Sequence, residues 1–125
     1  MSQHNEIGKI GEDLAREYLE KEGYKILEQN YKTKYAEIDL VAEKSNGFFG
    51  ERSLVFVEVR TKVGENWGSP EDTINKAKLQ KVLWNAKTYS AFEKWQGPAR
   101  IDAVCIVLKP DFTVSRLTHH ENIIS

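Results

Sequence analysis

Residues Leu54 to Lys62 read LVFVEVRTK: an apolar run with one carboxylate, Glu58, in its middle and two basic residues, Arg60 and Lys62, behind it. Its content of Val and Phe predicts a buried β-strand. Packing gives no reason for a charge there, since an unpaired buried carboxylate is costly or gives up its charge. Two-residue alternation puts Leu54, Phe56, Glu58, Arg60 and Lys62 on one face and Val55, Val57 and Val59 on the other. The first face turns from apolar to ionic at Glu58, which predicts that the strand leaves the core there for a cleft at the sheet edge.

A partner for Glu58 lies upstream. Ala36 to Glu43, AEIDLVAE, alternates so that Glu37, Asp39 and Val41 share one side and Ile38, Leu40 and Ala42 the other. Asn46 and Gly47, supported by Gly50, open a turn, since such residues adopt the left-handed backbone a reversal needs. A hairpin whose loop is centred near Phe48 and Phe49 brings Asp39 opposite Glu58. Opposed side chains have Cβ atoms about 4.5–5.5 Å apart, so one cation could bridge both carboxylates at the roughly 2.0–2.1 Å that magnesium requires. A slip of one residue destroys the match.

The flanking segments fit an α/β chain. Ile7 to Glu22 carries apolar residues at three- and four-residue spacing, an amphipathic helix ended by Gly23, with Glu12 on the flank of its apolar stripe. On spacing alone Glu12 is a boundary charge. Tyr24 to Asn30 and Tyr31 to Tyr35 read as short edge strands. Ser69-Pro70-Glu71-Asp72 predicts a helix start, with Ser69 as N-cap and Pro70 at the first position, and a helix running to about Phe92 or Lys94. Its stripe is Leu79, Val82, Leu83, Ala86 and Tyr89. Lys76, Lys87 and Lys94 form a solvated side, while Lys76 and Lys78, in the first turns, could overlook the carboxylate cleft. Ala99 to Leu108 reads as a second strand buried on both faces, and Phe112 to Leu117 as a final edge strand.

Composition bounds the rest. The 125 residues, 40% hydrophobic, suit a single domain over residues 1–125. With 18 basic and 19 acidic residues the net charge is −1, so nucleic-acid binding would need a local patch or a bound cation. The single Cys105, in the apolar run AVCIVL, builds neither an intrachain disulfide nor a cysteine metal cluster and reads as core. No apolar stretch approaches the roughly 20 residues that cross a bilayer, and MSQHNEIGK lacks a signal-peptide core, so the expectation is a soluble cytoplasmic protein without a membrane. His4, His119 and His120 lack zinc-ligand spacing and are assigned no role.

GEDLAREYL (Gly11 to Leu19), GYKILEQN (Gly23 to Asn30), AEIDLV (Ala36 to Val41) and LVFVEVRTK together resemble the YraN-like bacterial family, a group related to the PD-(D/E)XK nuclease superfamily and archaeal Holliday-junction resolvases. The resemblance implies a restriction-endonuclease-like mixed β-sheet flanked by helices and a magnesium- or manganese-dependent phosphodiesterase site. Carried over residue by residue, it implies Glu12, Asp39 and Glu58 as catalytic carboxylates, and Asp39, Glu58 and the backbone carbonyl of Val59 as metal ligands. The superfamily lysine position holds Arg60. A guanidinium stays charged, so Arg60 suits charge stabilisation but makes a poor general base, with Lys62 as the substitute. The resemblance also implies DNA or another nucleic acid as partner and allows a homodimer.

Hydrolysis of a phosphodiester needs an activated water and neutralised phosphate oxygens, which carboxylate-held hard cations provide. Two other readings fit the same residues. One is a non-catalytic nucleic-acid-binding or assembly module on the nuclease fold. The other is a structural ion cluster in which Asp39 and Glu58 pair with Arg60, Lys62 or Arg100.

Overall fold

The computed structural model describes residues 3–34, 36–47 and 50–124. Its elements are α1 (Gln3–Lys21), β1 (Lys25–Lys32), β2 (Glu37–Ser45), β3 (Arg52–Val63), a 3-10 turn (Pro70–Thr73), α2 (Lys76–Phe92), β4 (Ala99–Leu108) and β5 (Val114–His120). The strands form one sheet in the order β1-β2-β3-β4-β5, with β3 antiparallel to β2 and parallel to β4. A parallel pair cannot be joined by a tight turn, and the segment containing α2 supplies the crossover. The result is α/β, a mixed sheet flanked by two helices, consistent with a nuclease-like fold.

The alternation in β3 builds a core on each sheet face. Val55, Val57 and Val59 pack with Ala15 and Leu19 of α1, while Leu54 and Phe56 pack with Val82, Ala86 and Tyr89 of α2. Each such apolar side chain contributes about 1.5–3 kcal/mol when fully buried. β4 is buried on both faces from Ile101 to Leu108, Cys105 included, as its unbroken apolar run predicts. Gly23, at φ +90°, ends the first helical segment: the Tyr24 N–H donates back to the Leu19 carbonyl at 2.9 Å. No helix among the described residues is long and apolar enough to cross a membrane.

The β2–β3 register pairs Leu40 with Val57, Val41 with Phe56 and Ala42 with Val55. This is the register that sets position 39 against position 58. The expected loop centre, Phe48 and Phe49, lies outside the described residues. The pairing stops at Leu40 and Val57, and Ile38 packs on the α2 side while Leu40 packs on the α1 side, so the alternation of β2 breaks at Asp39.

Four expectations are corrected. The cleft lies not at the sheet edge but in a fork between two inner strands, because β3 stays paired with β4 through Val63 and Leu108 after β2 has parted from it. The two short edge strands are one strand, β1, which runs through Asn30 at φ +55°, and Tyr35 lies outside the described residues. The helix expected from Ser69 is divided: Ser69 starts only a 3-10 turn, and Asn75, accepting from the Lys78 N–H at 2.8 Å, caps α2. The last strand runs further than Leu117, placing His119 and His120 within the sheet.

Candidate active site

Each wall of the fork is placed by a local feature of the chain. On α1, Gly11 lets the helix lie directly on β3: a Cβ there would meet Thr61 Oγ1 at 1.8 Å. That close approach brings the next residue, Glu12, to the cleft. Asp39 stands where the β2–β3 ladder ends, and its Oδ2 accepts from the backbone N–H of Val59 at 2.8 Å. Glu58 is 3% exposed. The Asn75 cap sets the first turn of α2 so that Lys78 reaches across to Glu58.

The charged groups form two clusters. Glu12, Glu37 and Asp39 each offer a carboxylate oxygen within 4.8 Å of the other two. Glu58 Oε1 receives both Arg60 Nη2 at 2.8 Å and Lys78 Nζ at 3.1 Å, while Glu58 Oε2 is buried without a hydrogen-bond partner. Arg60 Nε and Thr61 Oγ1 are likewise buried and unpartnered. Glu12, Asp39, Glu58, Val59, Arg60, Lys62 and Lys78 line one cleft of about 450 Å³, and an adjoining hollow of about 450 Å³ reaches Asp39 and Glu58 from the α2 side.

Electrostatics agree with the geometry. Burial, then the charge of Glu58, pushes the Asp39 carboxyl up to about 7, against the opposing Val59 N–H. Burial also raises Glu12, although the side chains of Asn30 and Gln29 hydrogen-bond its carboxylate. A buried carboxyl that resists ionisation beside a second carboxylate marks a place where a bound cation would relieve the cost of ionisation, and the unpaired Glu58 oxygen is a further unused acceptor there. An all-oxygen donor set with these features fits a hard divalent cation such as magnesium or manganese.

Among the residues singled out from sequence, Glu12, Asp39, Glu58, Val59, Arg60 and Lys62 all border this cleft. Lys62 turns its Nζ to the Trp67 carbonyl at 3.3 Å, and Arg100 sits on Asp102 at 3.0 Å instead of on Asp39 or Glu58. Lys76 is exposed, so only Lys78 of that pair enters the site. Glu37 joins Asp39 although no argument from sequence gave it a role; its place on the Asp39 face was the available signal. His119 and His120 gain structural roles: His119 lies 2.8 Å from Asp102, and His120 2.8 Å from Glu71.

Comparison with known proteins gives one consistent match. The model of the uncharacterised protein family UPF0102 matches residues 11–106, a span that includes α2 and both carboxylate strands. A UPF0102 protein of Flavobacterium johnsoniae is 47% identical over 71% of the chain and 68% of its own length. Another, from Caldanaerobacter subterraneus subsp. tengcongensis, is 38% identical over 90% of the chain and 89% of its own. A third, from Sulfurihydrogenibium, is 42% identical over 79% and 82%.

Proposed function

We propose that this chain, which belongs to the uncharacterised protein family UPF0102, is a metal-dependent nuclease that hydrolyses phosphodiester bonds in DNA, with branched or otherwise distorted DNA as its candidate substrate. The observation that carries the reading is the division of the fork: carboxylates of Glu12, Glu37 and Asp39 gathered on one side, and the cations of Arg60 and Lys78 held on Glu58 at the other. One side suits a cation and the other a phosphate.

Asp39, with Glu12 and Glu37, would hold the magnesium or manganese ion, and Glu58, which lines the same cleft, keeps one buried oxygen, Oε2, without a hydrogen-bond partner. When bound, the ion supplies a more acidic water and neutralises phosphate oxygens. The Arg60 guanidinium stabilises the charge that builds on the phosphoryl oxygens. Lys78 supplies from α2 the amine that the resemblance places on the strand, where Arg60 stands, and an amine can exchange a proton where a guanidinium cannot. Glu58 holds both cations in place. The Val59 N–H orients Asp39.

The test is incubation of purified protein with linear, nicked and four-way-junction DNA in magnesium or manganese. The expected outcome is metal-dependent cleavage of at least one substrate, reduced on the order of 10²-fold or more by Asp39→Asn or Glu58→Ala. Absence of cleavage on every substrate, or cleavage that survives both substitutions, overturns the reading. A second reading, a binding module without turnover, is favoured by the two cations already seated on Glu58 Oε1. It predicts salt-dependent binding and no product.

A further inference from the structure

The hollow on the α2 side of the fork continues beyond the carboxylates. Lys81 lines it together with Asp39, Glu58 and Lys78, and Lys81 also lines the next hollow with Lys34 and Trp84. On a helix, residues three apart are neighbours, so Lys78, Lys81 and Trp84 form one ridge of α2 that begins at Glu58 and leads away from it. Trp84 is 63% exposed. The core face of α2 is made by Val82, Ala86 and Tyr89, and packing therefore does not account for an indole on this ridge. The overall charge of −1 gives no field that attracts a polyanion, which leaves local lysines to do so.

We propose that this ridge is a track for single-stranded DNA leaving the fork, with Lys78 and Lys81 meeting successive phosphates and the Trp84 ring stacking on an unpaired base. The inference rests on the nuclease reading and names its substrate class as DNA with an unpaired segment beside the scissile phosphate. Single strands are favoured over duplex because the faces of paired bases are already stacked, whereas an exposed indole can stack only on a base that has left the stack. Cationic side chains combined with an aromatic one along a groove are how proteins hold such strands without reading sequence.

Fluorescence anisotropy of a labelled single-stranded oligonucleotide, a blunt duplex and a duplex with a single-stranded tail tests this in the Asp39→Asn background, where cleavage is expected to be lost. Trp84→Ala should weaken binding of the strand and the tailed duplex about tenfold, with Trp84→Phe retaining most of the affinity and the blunt duplex little affected. Lys81→Ala should lower the slope of log affinity against log salt by about 0.7. Phe92→Ala, which removes another exposed aromatic of α2, should leave binding unchanged. The proposal is overturned if Trp84→Ala and Lys81→Ala bind like their parent, or if Trp84→Ala changes the oligomeric state in size-exclusion chromatography and leaves DNA binding intact. Failure of the nuclease reading is recognised separately, as a wild-type protein that binds the tailed duplex but cleaves none of the DNA in magnesium or manganese, whereas a wild-type protein that binds none of the DNA overturns the ridge as well.

Discussion

Glu58 in β3 and Asp102 in β4 are both buried carboxylates inside apolar strands, and their surroundings differ. Asp102 is fully buried, yet both its oxygens are engaged, Oδ1 by Arg100 and the Asn122 N–H and Oδ2 by His119 and Arg100. Burial would raise its pKa, but these partners hold it below the ordinary carboxylate value. Asp102 is a completed structural lock. Glu58 instead keeps a buried oxygen unpaired, and Asp39 beside it is pushed up to about 7. Because the folded pKa of Asp39 lies above its usual 3.8, its ionisation opposes folding. That penalty is absent below about pH 4, grows as pH rises and is complete above about 7. In EDTA, Asp39→Asn should therefore match the wild type near pH 4 and exceed its stability at pH 8 by on the order of 2 kcal/mol, a figure reduced for the solvent that enters the cleft. Denaturant melts across that range check it, and a difference that does not vary with pH contradicts it.

At the scale of elements, the site depends on how closely α1 lies on β3. Replacing a helical glycine with alanine ordinarily gains about 1 kcal/mol of helix propensity. At Gly11 the new methyl would fall 1.8 Å from Thr61 Oγ1 and 3.0 Å from its Cγ2, leaving a short branched side chain nowhere to turn. Overpacking of this kind costs about 1–3 kcal/mol, so Gly11→Ala should destabilise the protein and, by lifting Glu12 from the fork, weaken manganese binding in a calorimetric titration. Unchanged stability and affinity would show that the helix does not position Glu12. Elements with a strong local period were legible in the sequence: both helical stripes, the doubly buried β4 and the β2–β3 register. The start of α2 was not, because Ser69-Pro70 and Asn75 are both good caps and only the path of the chain decides between them. Lys78 could be suspected from its place in the first turn, but its contact with Glu58 depends on how α2 docks. The His119–Asp102 pair depends on the pairing of β5 with β4, which no spacing within either strand reveals.

For the molecule as a whole, the sheet order makes the fork. β3 is shared, antiparallel to β2 and parallel to β4, and where β2 ends its pairing with β3 the carboxylates of Glu12, Glu37 and Asp39 gather in one cluster while Arg60 and Lys78 gather on Glu58. The pair of Asp39 and Glu58 was legible as two charges out of place in register. The division of labour was not, since it requires Glu37 from β2, Glu12 from α1 and Lys78 from α2 to meet across more than 60 residues of chain. The most direct test of this arrangement is anomalous diffraction from crystals soaked in manganese at pH 8, where Asp39 is ionised. An anomalous peak is expected within coordination distance of Asp39, about 2–2.3 Å, and should vanish in Asp39→Asn. Saturating manganese with no peak in the fork, and Glu58 still held by Arg60 and Lys78, would contradict it.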